Sequence, residues 1–167
     1  MKLIRTFLIT VAMAVTVAFA NAANPHFSLN VTITVTHAGG GIIISPDKQA
    51  RNYLMWEFVK NGTESYICRH VFVDGNDYYD DVPTQTFELQ ANTNVKLDVE
   101  GSVVKTYVNG TLIDTFTDTR RVLRNDSIGF YASNLNNEKQ IVAFDDVTAK
   151  RIADDGTETT YIDTDFS

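Results

Sequence analysis

The chain has 167 residues and a formal net charge of −7 at neutral pH. An acidic surface repels a phosphate backbone, and the sequence has no basic stripe to offset it, so nucleic acid is excluded as an expected partner. The single cysteine, Cys68, excludes an intramolecular disulfide, so the protein must rely on its hydrophobic core for stability.

The first 22 residues have the pattern of a cleavable signal peptide. Lys2 and Arg5 precede an apolar run over residues 7–19, and Ala20-Asn21-Ala22 supplies the small residues of a cleavage site. The run is too short to span ~30 Å of bilayer hydrocarbon as a helix, and no cysteine directly follows it to carry a lipid. We therefore expect one domain, residues 23–167, without a transmembrane segment. It is predicted to be secreted or to lie in the periplasm or cell envelope, and not to be a lipoprotein.

Most of the remaining sequence has the pattern of β-strands and turns. Residues 27–36 alternate apolar and polar side chains without interruption, which is typical of a half-buried strand. Glycines 39–41 are expected to interrupt the chain before a second short strand that begins at residue 42. The further predicted strands are rich in β-branched and aromatic residues, and they cover residues 52–59, 66–73, 95–100, 103–108, 111–117, 127–132, 141–152 and 157–163.

Turn signals separate these strands. Asn61-Gly62 and Asn109-Gly110 predict hairpins, because both residues of an Asn-Gly pair accept the positive φ of a tight turn. Residues 74–81 are predicted to form an acidic loop. Short strands with turns between them, and no convincing helix after residue 22, indicate an all-β fold. The specific expectation is an antiparallel two-sheet β-sandwich.

Several segments together resemble a known superfamily. In order along the chain they are Lys96-Leu97-Asp98-Val99-Glu100-Gly101, Tyr107-Val108-Asn109-Gly110, Ile128-Gly129-Phe130 and Phe144-Asp145-Asp146-Val147. They resemble the C-terminal half of the concanavalin A-like lectin/glucanase superfamily of jelly-roll sandwiches. The segments Asn52-Tyr53-Leu54-Met55-Trp56 and Arg69-His70-Val71 resemble the non-catalytic sandwich modules attached to bacterial α-L-rhamnosidases. The resemblance covers residues 27–151, and it implies a jelly roll with a carbohydrate ligand.

In a hairpin around Asn61-Gly62, the numbers of two residues that face each other across the strands sum to an odd value. Even-numbered residues of the first strand therefore share a face of the sheet with odd-numbered residues of the second strand. One face is almost wholly apolar and is expected to face the core, with Trp56 in it: Leu54, Trp56, Phe58, Ile67, Arg69, Val71 and Val73. The other face mixes aromatic, acidic and imidazole side chains: Tyr53, Met55, Glu57, Val59, Tyr66, Cys68, His70 and Phe72.

The mixed face has the chemistry that a sugar site needs. Aromatic rings stack on the apolar face of a pyranose, and charged side chains bind its hydroxyl groups. We therefore identify Tyr53, Glu57, Tyr66 and His70 as candidate carbohydrate-binding residues. The alternative is that these side chains only complete the edge of the core.

The acidic segment at residues 74–81 supplies a second group of candidates. Its carboxylates suggest calcium, but EF-hand spacing fails because Tyr78 stands where the third oxygen ligand should be. Its two tyrosines instead suggest a loop tip that contacts sugar, which adds Asp77, Tyr78 and Tyr79 to the candidates. A solvated acidic loop is the alternative.

Asp145-Asp146 interrupts the alternation of a predicted strand. Val142 and Phe144 would fall on one face of a regular strand, and Val147 and Ala149 on the other. We expect all four to be buried in the core, which requires one extra residue that forms a β-bulge at Asp145-Asp146. A bulge would aim a carboxylate at the domain edge, so Asp145 is a candidate ligand of a structural calcium ion. A solvated or turn-capping aspartate is the alternative, and no other cofactor is expected.

No catalytic motif emerges from the sequence. A glycosidase needs two carboxyl groups at a defined separation, and Glu57 is the only acid placed on the mixed face. The expected function is a secreted, non-catalytic, lectin-like module that binds plant or host glycans, as an oligosaccharide or polysaccharide. One alternative is a small glycoside hydrolase of the 3-keto-disaccharide hydrolase-like type, in which Glu57 and His70 would work with an acid from a loop such as residues 74–81. Another is a structural or adhesive envelope domain without a small ligand.

Overall fold

The computed structural model describes residues 24–35, 38–81, 87–132 and 142–165. The predicted signal peptide, residues 1–22, lies outside the described residues. Within them, no helix is long and apolar enough to cross a membrane. The described strands are β1 (His26–Val35), β2 (Ala38–Ile44), β3 (Tyr53–Asn61), β4 (Glu64–Val73), β5 (Asn76–Asp81), β6 (Thr93–Glu100), β7 (Val103–Val108), β8 (Thr111–Thr117), β9 (Ile128–Ala132), β10 (Val142–Ile152) and β11 (Glu158–Thr164).

The strands form two antiparallel sheets. One has six strands in the order β11-β10-β1-β6-β7-β8, and the other has five in the order β5-β4-β3-β2-β9. The hydrophobic core lies between the sheets, and its largest fully buried side chains are Trp56, Phe27 and Phe58. The predicted all-β, antiparallel two-sheet sandwich is confirmed, and the fold is a jelly roll.

The glycines of β2 belong to the strand, so the expected interruption at residues 39–41 is wrong. A Cβ at Gly40 would lie 2.7 Å from Val142 Cγ1 and 3.2 Å from Val35 Cγ2, between the two sheets. A Cβ at Gly39 would overlap the Glu57 carboxyl group on the opposite face. Glycine is therefore present because neighbouring side chains occupy the space, and the strand continues through it.

The β3–β4 hairpin has the predicted parity. Its turn residues are Gly62 and Thr63, and Trp56 pairs with Arg69 across the ladder. Trp56 is fully buried and its Nε1 donates a hydrogen bond to Asp114 Oδ2 at 3.3 Å, which confirms it as a core residue. The Arg69 guanidinium also lies on the core side of the sheet, 3.0 Å from Asp114 Oδ2.

The predicted acidic loop at residues 74–81 is wrong, because most of it forms the edge strand β5. The preceding turn is Asp74-Gly75, with φ values of 54° and 81°. Positive φ at both central residues is the signature of a two-residue hairpin turn, for which Asp-Gly is a strong sequence signal. β5 consequently pairs with β4 along its whole length, from Asn76 opposite Val73 to Asp81 opposite Cys68.

The predicted bulge in β10 is confirmed. Thr32 pairs with Asp145 whereas Asn30 pairs with Thr148, so the register shifts between them, and Asp146 has a φ of 48°. The shift returns Val147 to the core, where it and Ala149 are buried.

Val142 and Phe144, on the other side of the bulge, were predicted to be buried but are only half-buried. Both side chains approach Gly40 of the facing sheet, where a Cβ would lie 2.7 Å from Val142 Cγ1 and 3.6 Å from Phe144 Cζ.

Candidate functional site

Six of the seven predicted carbohydrate-binding residues lie on one surface, the solvent side of the five-stranded sheet. We call this surface the outer face. The register of β3, β4 and β5 places Tyr53 opposite Phe72 and Phe72 opposite Asp77, and His70 opposite Tyr79. The predicted residues on the outer face are Tyr53, Glu57, Tyr66, His70, Asp77 and Tyr79.

A charged cluster lies at the centre of the outer face. His70 Nδ1 is 2.8 Å from Asp77 Oδ2, and His70 Nε2 is 3.4 Å from Glu57 Oε2. The side chains of His70 and Glu57 are only 13% and 14% exposed. The Glu57 carboxylate raises the pKa of His70 above its usual value and Asp77 adds to this rise, whereas burial opposes it. The cluster therefore favours the charged imidazolium between two carboxylates.

Aromatic rings extend from this cluster in both directions. Tyr53 stacks on Phe72 with ring centroids 4.2 Å apart, and Phe72 lies nearly parallel to His70 at 6.1 Å. On its other side His70 meets Tyr79 at 5.2 Å. These four side chains form a continuous row, Tyr53–Phe72–His70–Tyr79, which we call the ring row. A row of rings beside charged groups suits a ligand that has apolar faces and hydroxyl edges.

Tyr131 is an outer-face residue that sequence reasoning missed. It lies on β9 directly opposite Gly41 of β2, and its side chain is 40% exposed. Burial raises the pKa of Tyr131, and the Glu57 carboxylate adds to the rise. The alternation of β9 separates Tyr131 from the buried Ile128, but the pairing of β9 with β2 could not be derived from local sequence.

Tyr66 and Tyr78 depart from the predicted grouping. Tyr66 is on the outer face, but it lies four residues from His70 along β4. At the rise per residue of a β-strand, this separates the two residues by about 13 Å. Tyr78 lies on the opposite side of β5 because strand residues alternate, and its ring lies 3.7 Å from the Arg120 guanidinium carbon. The predicted loop tip of Asp77, Tyr78 and Tyr79 is therefore wrong, although Asp77 and Tyr79 do reach the outer face.

The candidate metal ligand Asp145 lies on the other sheet, at the bulge. Its carboxylate has an oxygen within 4.8 Å of carboxylate oxygens from Asp146 and Asp165. Two hydrogen bonds hold the group: Thr32 Oγ1 donates to Asp146 Oδ2 at 3.1 Å, and the Asp146 amide donates to Asp145 Oδ1 at 2.8 Å. All three side chains offer oxygen ligands, which is the ligand type that calcium prefers.

Comparisons with known proteins support the fold. No protein-family model and no curated protein matches the sequence. The carbohydrate-binding module CBM66 from Bacillus subtilis superposes with a TM-score of 0.58 at 18% identity, over 78% of this chain and 76% of that one. A tetrameric galectin from the ball sponge Cinachyrella sp. superposes with a TM-score of 0.59 at 8% identity, over 77% of this chain and 92% of the galectin. CG-16, a homodimeric agglutinin from chicken liver, superposes with a TM-score of 0.58 at 10% identity, over 78% of this chain and 94% of the agglutinin.

These similarities define the class of fold. All three structures are solved proteins that share the sandwich with this chain, at identities that establish architecture alone. The chain therefore has a jelly-roll sandwich fold, and its resemblance to the concanavalin A-like superfamily remains a prediction from sequence. Its similarity to rhamnosidase modules remains a prediction from sequence.

Proposed function

We propose that this chain is a non-catalytic, lectin-like domain that binds an oligosaccharide or polysaccharide on its outer face. The observation that carries the proposal is the ring row, Tyr53–Phe72–His70–Tyr79, beside the carboxylates of Glu57 and Asp77. The fold adds support, since similar solved structures include a carbohydrate-binding module and galectins. Plant or host glycans are the proposed source of the ligand.

The geometry suggests a division of roles on the outer face. Tyr79 is 51% exposed and offers a ring surface for the C–H face of a sugar. Asp77 is held by His70 and is partly exposed, so its carboxylate can accept hydrogen bonds from sugar hydroxyl groups.

The proposed function also includes export of the protein from the cytoplasm. The signal-peptide pattern of residues 1–22 predicts cleavage before Ala23, and a glycan-binding role requires contact with glycans outside the cytoplasm. The intact mass of the exported protein tests this directly. A mass that still includes residues 1–22 contradicts the export argument and leaves the outer face unaffected.

A glycan array probed with the purified domain tests the binding function. The proposal predicts retention of a related set of glycans, and weaker retention of that set when Tyr53 is replaced by alanine. Retention of none of the glycans, together with capture of an envelope protein, would favour the structural or adhesive alternative.

The charged pair of Glu57 and His70 is the observation that favours a glycoside hydrolase instead. A panel of chromogenic glycosides separates the two functions, because a binding module releases no chromophore. Turnover that disappears in Glu57→Gln would establish the hydrolase and contradict the non-catalytic proposal.

A further inference from the structure

A second group of aromatic and basic side chains lies at the open edge of the sandwich. β5 and β8 are edge strands of the two sheets. A cleft of about 450 Å³ has residues of both strands in its wall. We call it the edge cleft, and it is lined by Val71, Tyr78, Tyr79, Phe116, Thr119 and Arg120.

The floor of the edge cleft is apolar and firmly packed. Val71 is buried, and Phe116 packs against the core. The Arg69 guanidinium carbon lies 4.4 Å from the Phe116 ring centroid, and its charge is balanced by Asp114 at 3.0 Å. The floor therefore presents a fixed ring, and the charge beneath it is already neutralised.

The rim carries one charge. Among the lining residues only Arg120 is ionised at neutral pH, and its guanidinium carbon lies 3.7 Å from the centroid of the Tyr78 ring. In the described part of the chain no carboxylate forms a salt bridge with it. Stacking on Tyr78 orients the planar guanidinium, whose parallel N–H groups match a carboxylate in a bidentate pair.

The loop that carries Arg120 is held in place by a buried carboxylate. Asp118 is almost fully buried and accepts hydrogen bonds from the backbone amides of Arg120, Val122 and Leu123, at 3.0, 2.6 and 2.8 Å. Arg120 is thus presented from a fixed backbone, and a ligand need not order the loop when it binds.

We propose that the edge cleft binds a uronic acid residue, with its carboxylate on Arg120 and its ring over Phe116. Thr119 and Tyr78 also line the cleft, and their hydroxyl groups can form hydrogen bonds with those of the sugar. The inference rests on the proposed function in taking a saccharide as ligand. Tyr79 lines the edge cleft and also ends the ring row, so one oligosaccharide chain can contact both sites.

Titration calorimetry with tri-galacturonate and with its methyl ester tests the proposal, because esterification removes the charge of the carboxyl groups and leaves the sugar rings and their hydroxyl groups unchanged. The acid should bind about ten-fold more tightly than the ester, which is the size of one charge-assisted hydrogen bond. Arg120→Gln should remove this advantage without changing the melting temperature. Arg121→Gln is the matched control, since it removes the same charge from an exposed residue of the same loop that does not line the cleft.

The outcomes separate this inference from the proposed function. Equal binding of acid and ester, or equal weakening by Arg120→Gln and Arg121→Gln, overturns the edge cleft as a uronate site. If neutral glycans are still retained on the array in that case, the outer-face proposal stands. If neither tri-galacturonate nor any glycan of the array binds, both proposals fail.

Discussion

Asp77 lies diagonally across the β4–β5 ladder from His70, with its Oδ2 2.8 Å from His70 Nδ1. The residue directly opposite His70 is Tyr79, whose ring lies beside the imidazole at 5.2 Å. Edge strand β5 therefore supplies both a charge and a ring to the same histidine. This arrangement makes His70 the link between the charged cluster and the ring row.

The His70 cluster predicts a pH-dependent stability. Interaction with Glu57 is the main cause that raises the pKa of His70 in the folded state above the value of about 6.5 expected for the unfolded chain. The stabilisation is therefore complete below about pH 6.5, and it is lost as the pH rises through the folded-state pKa. Denaturant unfolding at pH 5.5, 6.5, 7.5 and 8.5 should show this decline in the wild-type protein.

His70→Gln provides the comparison for that measurement, because glutamine cannot take up the proton. The decline in the free energy of unfolding between pH 6.5 and 8.5 should be smaller in this variant. His26→Gln, on the other sheet, is the matched control and should keep the wild-type pH dependence. An identical pH dependence in wild type and His70→Gln would contradict the pKa assignment.

Trp56 is predicted to contribute to the stability of the fold and not to ligand binding. It is fully buried between the sheets, in edge contact with Phe116 at 5.9 Å. Trp56→Ala leaves a cavity and should lower the free energy of unfolding by about 3–5 kcal/mol. Chemical denaturation measures this loss, and Tyr53→Ala should cost much less. A folded Trp56→Ala protein that has lost glycan binding would reverse the assignment of the two faces.

Gly40 is predicted to be required for close packing of the sheets. A Cβ there would lie 2.7 Å from Val142 Cγ1 and 3.2 Å from Val35 Cγ2, so Gly40→Ala should destabilise by about 1–3 kcal/mol. Gly129→Ala is the matched control, since its Cβ would meet Ile43 at an ordinary 3.6 Å. Equal melting temperatures for the two variants would contradict the predicted overpacking.

The carboxylates of Asp145, Asp146 and Asp165 lead us to propose a structural calcium site at the bulge. Calcium that binds the folded state at 100 times its Kd should stabilise it by about 2.7 kcal/mol and raise the melting temperature. Asp145→Asn should remove this response. A melting curve that is the same in calcium and in EDTA would contradict the proposed calcium site, and it would leave the assignment of the bulge unaffected.

Local signals in the sequence predicted the parts of the fold that depend on neighbouring residues. The hairpin at Asn109-Gly110 follows from two residues that accept positive φ, here 47° and 79°. The buried face of β1 follows from uninterrupted alternation, and the two faces of β3 and β4 follow from parity. In each case the period of two directly determines which side chains are buried.

The features that were missed depend on distant parts of the chain. β5 is polar on both sides because it is an edge strand, so it lacks the alternation that identifies a half-buried strand. Gly39 and Gly40 are part of strand β2, and glycine is needed there because Glu57 and Val142 fill the adjacent space. Tyr131 joins the outer face only through the pairing of β9 with β2. Local sequence does not specify such pairings, because they depend on the packing of the whole sandwich.

Binding by two matched tyrosine variants tests the central claim most directly. Tyr53 lies in the ring row on the outer face, whereas Tyr107 lies on the solvent side of the other sheet, near Lys96. For a glycan identified on the array, calorimetry should show that Tyr53→Ala weakens binding by about ten-fold, which corresponds to 1.4 kcal/mol, whereas Tyr107→Ala leaves it unchanged. Unchanged affinity in Tyr53→Ala, or equal losses in the two folded variants, would contradict glycan binding at the outer face.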